Sequence, residues 1–352
     1  MLPRKIITVI FTTLSVGLMG SPFSRKGKSP LPEKGRCINP SKRRAWHTLP
    51  DDQKRTYLDS QRCVMDKPGT MGLPGAKTVY DELASNHQIL ARSIHSTGAF
   101  LPYHRYMLHA HEKTLRECGY DGGLPYWDEP HDAGNFENSD IFDKETGFGT
   151  CVKGNSCVAD GPFAHRTSSI GPGFNLREHC VSRNLNDTIS LWSSQEKVDD
   201  CMVYDRYEDL WACLYMVPHR GGHGGVGGTM RDPLGSPADP IFYLHHAWVD
   251  KLWFDWQEVD PGSRRHDMGG PNTQTPELGF PELPGSTEEE EERVFGKMPE
   301  ELRRLEDEGT RGDEGGGKVT LAHVLTSLGV IPDTTVGDVV DTRGGYLCYE
   351  YV

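Results

Sequence analysis

The chain has 352 residues, enough for one large domain or two modest ones at about 100 to 200 residues each. Thirty-eight Lys and Arg stand against 51 Asp and Glu, a net charge of −13 with no basic stripe in it. That balance excludes readers of phosphate backbones and of anionic membranes, so no nucleic-acid partner is expected.

Arg4 and Lys5 precede an apolar run from Ile6 to Gly20, the pattern of a secretory signal peptide over residues 1–20. Leu18 occupies a position where a small residue would precede a cut after Gly20, which leaves an uncleaved anchor as the alternative. Cleavage would put the protein in the secretory lumen or outside the cell, with no stable membrane partner. Residues 21–36 are basic and Pro-rich and read as a flexible segment. The main domain is expected over 37–262. Helical spacing covers Trp46–Met65 and then Thr78–Ser96, where His87 and His95 lie eight residues apart and within about a quarter turn of one face. Gly98 and Pro102 interrupt it, and a new helix from Tyr103 to about Cys118 carries His104 in its first turn. Gly119–Asp199 has weak periodicity and reads as a long, disulfide-pinned connection of the kind that shapes a substrate entrance.

Helical spacing returns over Asp200–Met216, and the run from Pro218 to His223 sets His219 and His223 four apart. The glycines there make a marginal helix unless metal holds it. Asp239 and Pro240 are start signals for a helix from Ile241 to Val259 bearing His245 and His246. Residues 263–318 read as an acidic Gly/Pro-rich loop, its run Glu288–Glu292 a solvated surface. Residues 319–352 are expected to pack back on the core as short strands pinned by Cys348. Nine cysteines fit an oxidising compartment and leave at least one thiol unpaired, and Asn186-Asp187-Thr188 is a glycosylation acceptor pattern.

The six histidines form two triplets, His87, His95, His104 and His219, His223, His246, with no Cys, Asp or Glu at an equivalent position. All-imidazole sites with open positions suit redox chemistry at a soft-to-borderline metal, copper first among them. The spacing of His219 and His223 also occurs in zinc metalloproteases, but Arg220 stands where their general-base Glu would follow the first His.

Two stretches, His95-Ser-Thr-Gly-Ala-Phe100-Leu-Pro-Tyr-His104-Arg105 followed by Glu112, and Asp239-Pro240-Ile-Phe242-Tyr-Leu-His-His246-Ala-Trp-Val-Asp250, together resemble the signatures of the tyrosinase and catechol oxidase family, type-3 dicopper proteins, in its short fungal form. The resemblance covers roughly Cys37–Asp260 and the Cys348-Tyr349 ending. It implies a mainly α fold, a four-helix bundle around a dinuclear copper site with long disulfide-pinned loops and a few short strands, and no full C-terminal shielding domain. It implies two copper ions per chain, with His87, His95 and His104 on the first and His219, His223 and His246 on the second, and no catalytic residue beyond these ligands. The reaction implied is oxidation of small phenolic substrates by dioxygen, turning ortho-diphenols, and also ortho-aminophenols or monophenols, into ortho-quinones. A hemocyanin-like dioxygen carrier without turnover is the alternative.

By the same resemblance, Arg220, Gly224 and His245 would line the substrate approach, with Arg231–Leu234 as a gate-like turn. Asp250, Asp239, Glu112 or backbone carbonyls would anchor the outer ring nitrogens of the ligands. His109 and His111 read as surface residues. Ser93 stands where many fungal members carry a cross-linked Cys, a role Cys63 could fill from elsewhere, and Cys37 would pair with Cys348. The family's Glu before the first ligand of the second copper and its Asn just after are replaced by Tyr215 and Arg220, which favours diphenols over monophenols.

Overall fold

The computed structural model describes residues 37–151, 156–274, 287–310 and 316–352, so the leader and basic segment expected over 1–36 lie outside the described residues. Helix α1 spans Asp51–Asp66, and the start at Trp46 is only a 3-10 turn to Thr48. Helix α2 (Val79–Ile94) opens on a capping box in which Thr78 and Asp81 exchange side-chain and backbone hydrogen bonds. It ends at Ile94, so His95 is its cap and not a helical residue. Helix α3 (Phe100–Glu117) begins three residues before the expected Tyr103, because Pro102 sits in the first turn, where its missing N–H costs nothing.

The expected irregular connection holds the short helices α4 (Glu129–Asp132) and α5 (Asp187–Ser190), the latter capped by the Asn186 side chain, and part of α6 (Gln195–Met202). The single helix expected over 200–216 is divided: α6 ends at Met202, α7 (Tyr207–Met216) follows, and Cys201–Cys213 ties the two. Helix α8 (Pro218–Val226) comes directly after and α9 spans Ile241–Val259. The glycines of α8 are there for close approach. A Cβ on Gly222 would meet the His245 ring and the Glu129 carboxylate, and one on Gly225 would come 2.7 Å from the Phe136 ring. Only glycine fits at that closeness, a use of these residues that spacing alone does not show.

After α10 (Pro261–Arg264), the expected acidic loop contains α11 (Glu288–Phe295) and α12 (Glu300–Gly309). The acidic run is helical because Thr287 and Glu290 make a second capping box, and α12 buries Leu302 and packs on α2. Helix α13 is Val336–Val339.

Strands β1 (Ser41–Arg43), β2 (Ser156–Cys157), β3 (Thr167–Ser168), β4 (His179–Cys180), β5 (Ser182–Arg183), β6 (Val324–Leu325), β7 (Thr334–Thr335) and β8 (Tyr349–Tyr351) form two-stranded sheets. β2–β5, β3–β4 and β6–β7 are antiparallel, whereas β1 and β8 run parallel with Ser41 opposite Tyr349. The fold is therefore a helical bundle with a few short strands, as expected. Among the described residues no helix is long and apolar enough to cross a membrane.

Cys37–Cys348 closes the β1–β8 clasp, and Cys63–Cys118 and Cys157–Cys180 are also bonded, leaving Cys151 as the odd thiol. Because Cys63 is bonded to Cys118, it is not free to link to an imidazole. Under the clasp lies a buried ionic hub. Asp250 of α9 accepts from Arg43 of β1 at 3.2 Å, from Arg105 of α3, and from both Tyr349 and Tyr351 hydroxyls of β8. Arg43 also donates to Glu112 at 2.9 Å, and its guanidinium lies 3.4 Å from the centroid of the Tyr349 ring. All four charged side chains are at most 2% exposed.

Candidate metal centre

Helices α2, α3, α8 and α9 deliver the histidines to one interior point. Ligand-capable atoms of His87, His95 and His104 lie within 4.8 Å of one another, and so do those of His219, His223, His245 and His246. The two groups abut: the His104 and His246 rings stack at 4.2 Å with 9° between their planes. Phe100 lies 4.7 Å from the His104 ring and 4.8 Å from His219, and Phe242 lies 4.2 Å from His246 and 5.3 Å from His87. These two phenyl rings exclude water between the imidazoles and give them an apolar wall.

Hydrogen bonds at the outer ring nitrogens set the tautomers. Nδ1 of His87 faces the Leu234 carbonyl at 2.9 Å, His95 that of Ala91 at 2.9 Å, His104 that of Phe100 at 2.7 Å, His219 that of Tyr215 at 3.2 Å, and His223 that of Met230 at 2.5 Å. A carbonyl can only accept, so each Nδ1 carries the proton and each Nε2 presents a lone pair inward. The Nε2 atoms of His87, His104, His219 and His245 are buried with no hydrogen-bond partner, and His223 and His246 bring theirs to 3.3 Å of each other. Buried, unpartnered lone pairs facing one another are costly unless a cation sits between them, and an all-imidazole donor set fits copper.

Burial lowers the pKa of all seven imidazoles, with neighbouring imidazoles adding to the effect around His87, His104, His219 and His246; His95 and His245 fall to about 3. They are neutral at pH 7, the form a metal requires.

The acids expected to anchor the ligands are engaged elsewhere. Asp250 and Glu112 belong to the hub, and Asp239 receives two bonds from Arg183 at 2.7 and 2.8 Å. Backbone carbonyls do the anchoring instead: those four residues back for His95, His104 and His219, and those of Leu234 and Met230 in the following turns for His87 and His223. His246 is the exception, its Nδ1 having no partner.

His245 is also differently placed from the expectation. It is fully buried, does not line the pocket at the cluster, and its Nδ1 pairs with the Glu129 carboxylate. Burial holds that carboxyl well above the usual range, while a hydrogen bond from Ser193 pulls the other way. Glu129, on the four-residue helix α4, was not singled out by sequence, and no periodicity or spacing there marks it. His109 and His111 are buried, not on the surface: His111 stacks on Tyr243 at 3.7 Å and His109 packs at 5.1 Å from Tyr346. On a helix packed on all sides, facing away from the cluster does not mean facing solvent.

A pocket of about 330 Å³ opens onto the cluster at His95, His219 and His223. Arg220 and Gly224 line it, as do Arg231 and Pro233 of the anticipated gate. Leu234 of that turn braces His87 from behind. Tyr215 forms the floor, its ring stacked 5.4 Å from His219 and its hydroxyl 3.1 Å from Ser96 Oγ.

The family described as the common central domain of tyrosinase matches residues 77–259, which include every histidine of both groups. Tyrosinase ustQ of Aspergillus flavus is 31% identical over 330 residues, covering 90% of this chain and 80% of that protein. N-acetyl-6-hydroxytryptophan oxidase ivoB of Emericella nidulans is 26% identical, covering 89% and 92%. A variant of the polyphenol oxidase of Thermothelomyces thermophila shares the fold with a TM-score of 0.72 at 23% identity, covering 90% of this chain and 91% of that one. With the central-domain match spanning both histidine groups and relatives alike over most of their length, the chain belongs to the tyrosinase family and is an oxidoreductase.

Proposed function

We propose that the chain oxidises small ortho-diphenols to ortho-quinones with dioxygen at two copper ions, one held by His87, His95 and His104 and the other by His219, His223 and His246. The observation that carries this reading is the convergence of buried, unpartnered Nε2 lone pairs beside an open pocket. The metals, when bound, take electrons from the ring and pass them to dioxygen. Each ring loses two electrons and two protons, and one dioxygen collects those of two rings to become two waters.

The protein's part is positional. Backbone carbonyls fix five imidazoles in the binding tautomer, burial keeps them neutral, and Phe100 and Phe242 keep water from the inner nitrogens. Tyr215 offers the ring an aromatic floor, and no Asp or Glu lines the pocket, which favours substrates whose second hydroxyl is already present. The pocket's opening onto three of the imidazoles favours turnover over dioxygen carriage. Four disulfides support residence in an oxidising, secretory compartment.

Copper analysis of the purified protein, followed by oxygen uptake on a panel of catechols, ortho-aminophenols and phenols, tests the reading. Two coppers per chain and uptake on catechols are expected; one zinc per chain with no uptake on any member would overturn it.

A further inference from the structure

We infer that the substrate of this pocket carries a carboxylate, and that Arg220 and Arg231 receive it. The inference rests on the diphenol oxidase reading and deepens it. Arg220 and Arg231 both line the pocket that reaches His95, His219 and His223. Among the described residues neither guanidinium makes a hydrogen bond or salt bridge to any protein group, whereas Arg43, Arg105 and Arg183 are each committed to carboxylates. Arg220 makes one contact of note, 5.7 Å above the ring of Trp192, which is 44% exposed at the pocket edge. A cation held over an aromatic face keeps its N–H edges free for a planar anion.

The rest of the lining points the same way. No Asp or Glu is among the pocket's residues, in a chain whose net charge is −13. An acidic protein that lines this pocket with two unpaired guanidiniums and no carboxylate has concentrated positive potential where the substrate enters. Ser236, 1% exposed, lines the same pocket, and its buried Oγ has no hydrogen-bond partner. A buried hydroxyl left unmatched by the protein is matched when a ligand supplies an acceptor. A diphenol ring over the imidazoles, with a carboxylate on a short tether reaching the two arginines, satisfies all three groups.

Such a contact binds ground state and transition state alike, so it should appear in KM and leave kcat nearly unchanged. The test compares 3-(3,4-dihydroxyphenyl)propionate with its neutral amide on the copper-loaded enzyme at pH 7. The acid is expected to have kcat/KM about 10-fold higher, a difference of about 1.4 kcal/mol, carried by KM and shrinking as salt is raised. In the Arg220→Gln/Arg231→Gln double variant the ratio should fall toward one. A second readout needs no turnover: quenching of tryptophan fluorescence in metal-free protein should give 3-phenylpropionate a Kd about 10-fold below that of 3-phenylpropanamide, again lost in the double variant. Equal handling of acid and amide in the wild type, or a preference that survives both substitutions, would overturn the proposal. Failure to oxidise either catechol would instead overturn the diphenol reading, and the metal-free comparison would then decide the carboxylate proposal by itself.

Discussion

Replacing Asp250 by Ala should be among the most damaging single changes in the protein, although Asp250 touches no metal ligand. The substitution takes one carboxylate from two buried guanidiniums and two buried tyrosine hydroxyls at once. Arg43 keeps Glu112, but Arg105 is left with only carbonyl and amide oxygens of Val339, Val340 and Gln257. Breaking a buried pair from one side costs about 3 to 5 kcal/mol, because the remaining charge stays desolvated. Guanidinium unfolding of the metal-free, disulfide-intact protein, followed by far-UV circular dichroism, measures the loss. Asp255→Ala, which removes a half-exposed partner of Lys251, is the control and should cost about 1 kcal/mol or less.

The pH dependence of this loss has a definite sign. Burial pushes the Asp250 and Glu112 carboxyls up, but Arg105 and Arg43 outweigh it for Asp250, and Arg43 and Arg116 for Glu112, so both are held below the usual range. Their contribution is therefore present above the unfolded values of about 4 and disappears as pH falls through the folded ones. The gap between wild type and Asp250→Ala should narrow only in that acid range. A loss under about 1 kcal/mol at pH 7 would refute the reasoning and make the hub a packing feature without energetic weight.

His104→Ala and His246→Ala should each leave one copper of two by metal analysis, whereas His245→Ala keeps both; the reverse result for the last pair would exchange their roles. The metal-free protein should lose stability as pH falls from 7 to 5, since His95, His111 and His245 are pushed by burial to about 3 while the unfolded residues protonate near 6.5. Denaturation midpoints that stay flat over that interval would contradict the neutral, buried assignment. Peptide mapping without reductant should recover Cys37 joined to Cys348 and find Cys151 the only cysteine alkylated before reduction. Initial rates on a catechol should exceed those on the matching phenol, and Arg220→Asn should shift the ratio toward the phenol; equal rates without a lag would count against Tyr215 and Arg220 as the reason.

Much of the site was legible because its determinants are local. His219 and His223 share a helical face by spacing alone, and the start signals at Asp239 and Pro240 place His245 and His246 in one helix, the choice of His246 between them resting on the family resemblance. Backbone anchoring of His95, His104 and His219 follows from a four-residue offset, whereas His87 reaches the Leu234 carbonyl across 147 positions. What could not be read is what forms between distant segments. Glu129 meets His245 across 116 positions, and Arg43 meets Asp250 across 207, so neither has a sequence signature. The packing role of the α8 glycines was not legible for the same reason: it appears only once His245, Glu129 and Phe136 are packed against them. The helices of 288–309 were missed because an acidic Gly/Pro-rich composition hid a capping box at Thr287 and Glu290.

The parallel clasp of β1 and β8 also imposes an order of assembly. Tyr349 and Tyr351 follow Asp250 by 99 and 101 residues, and β1 lies more than 300 residues upstream of its partner strand. While the chain is being synthesised, the histidine-bearing helices can associate, but the hub beneath α9 cannot close until residue 351 has left the ribosome. The histidine cage is thus secured only after β8 is made, and a nascent chain stalled before Tyr349 would carry all six imidazoles without the lock that fixes the helix of His246.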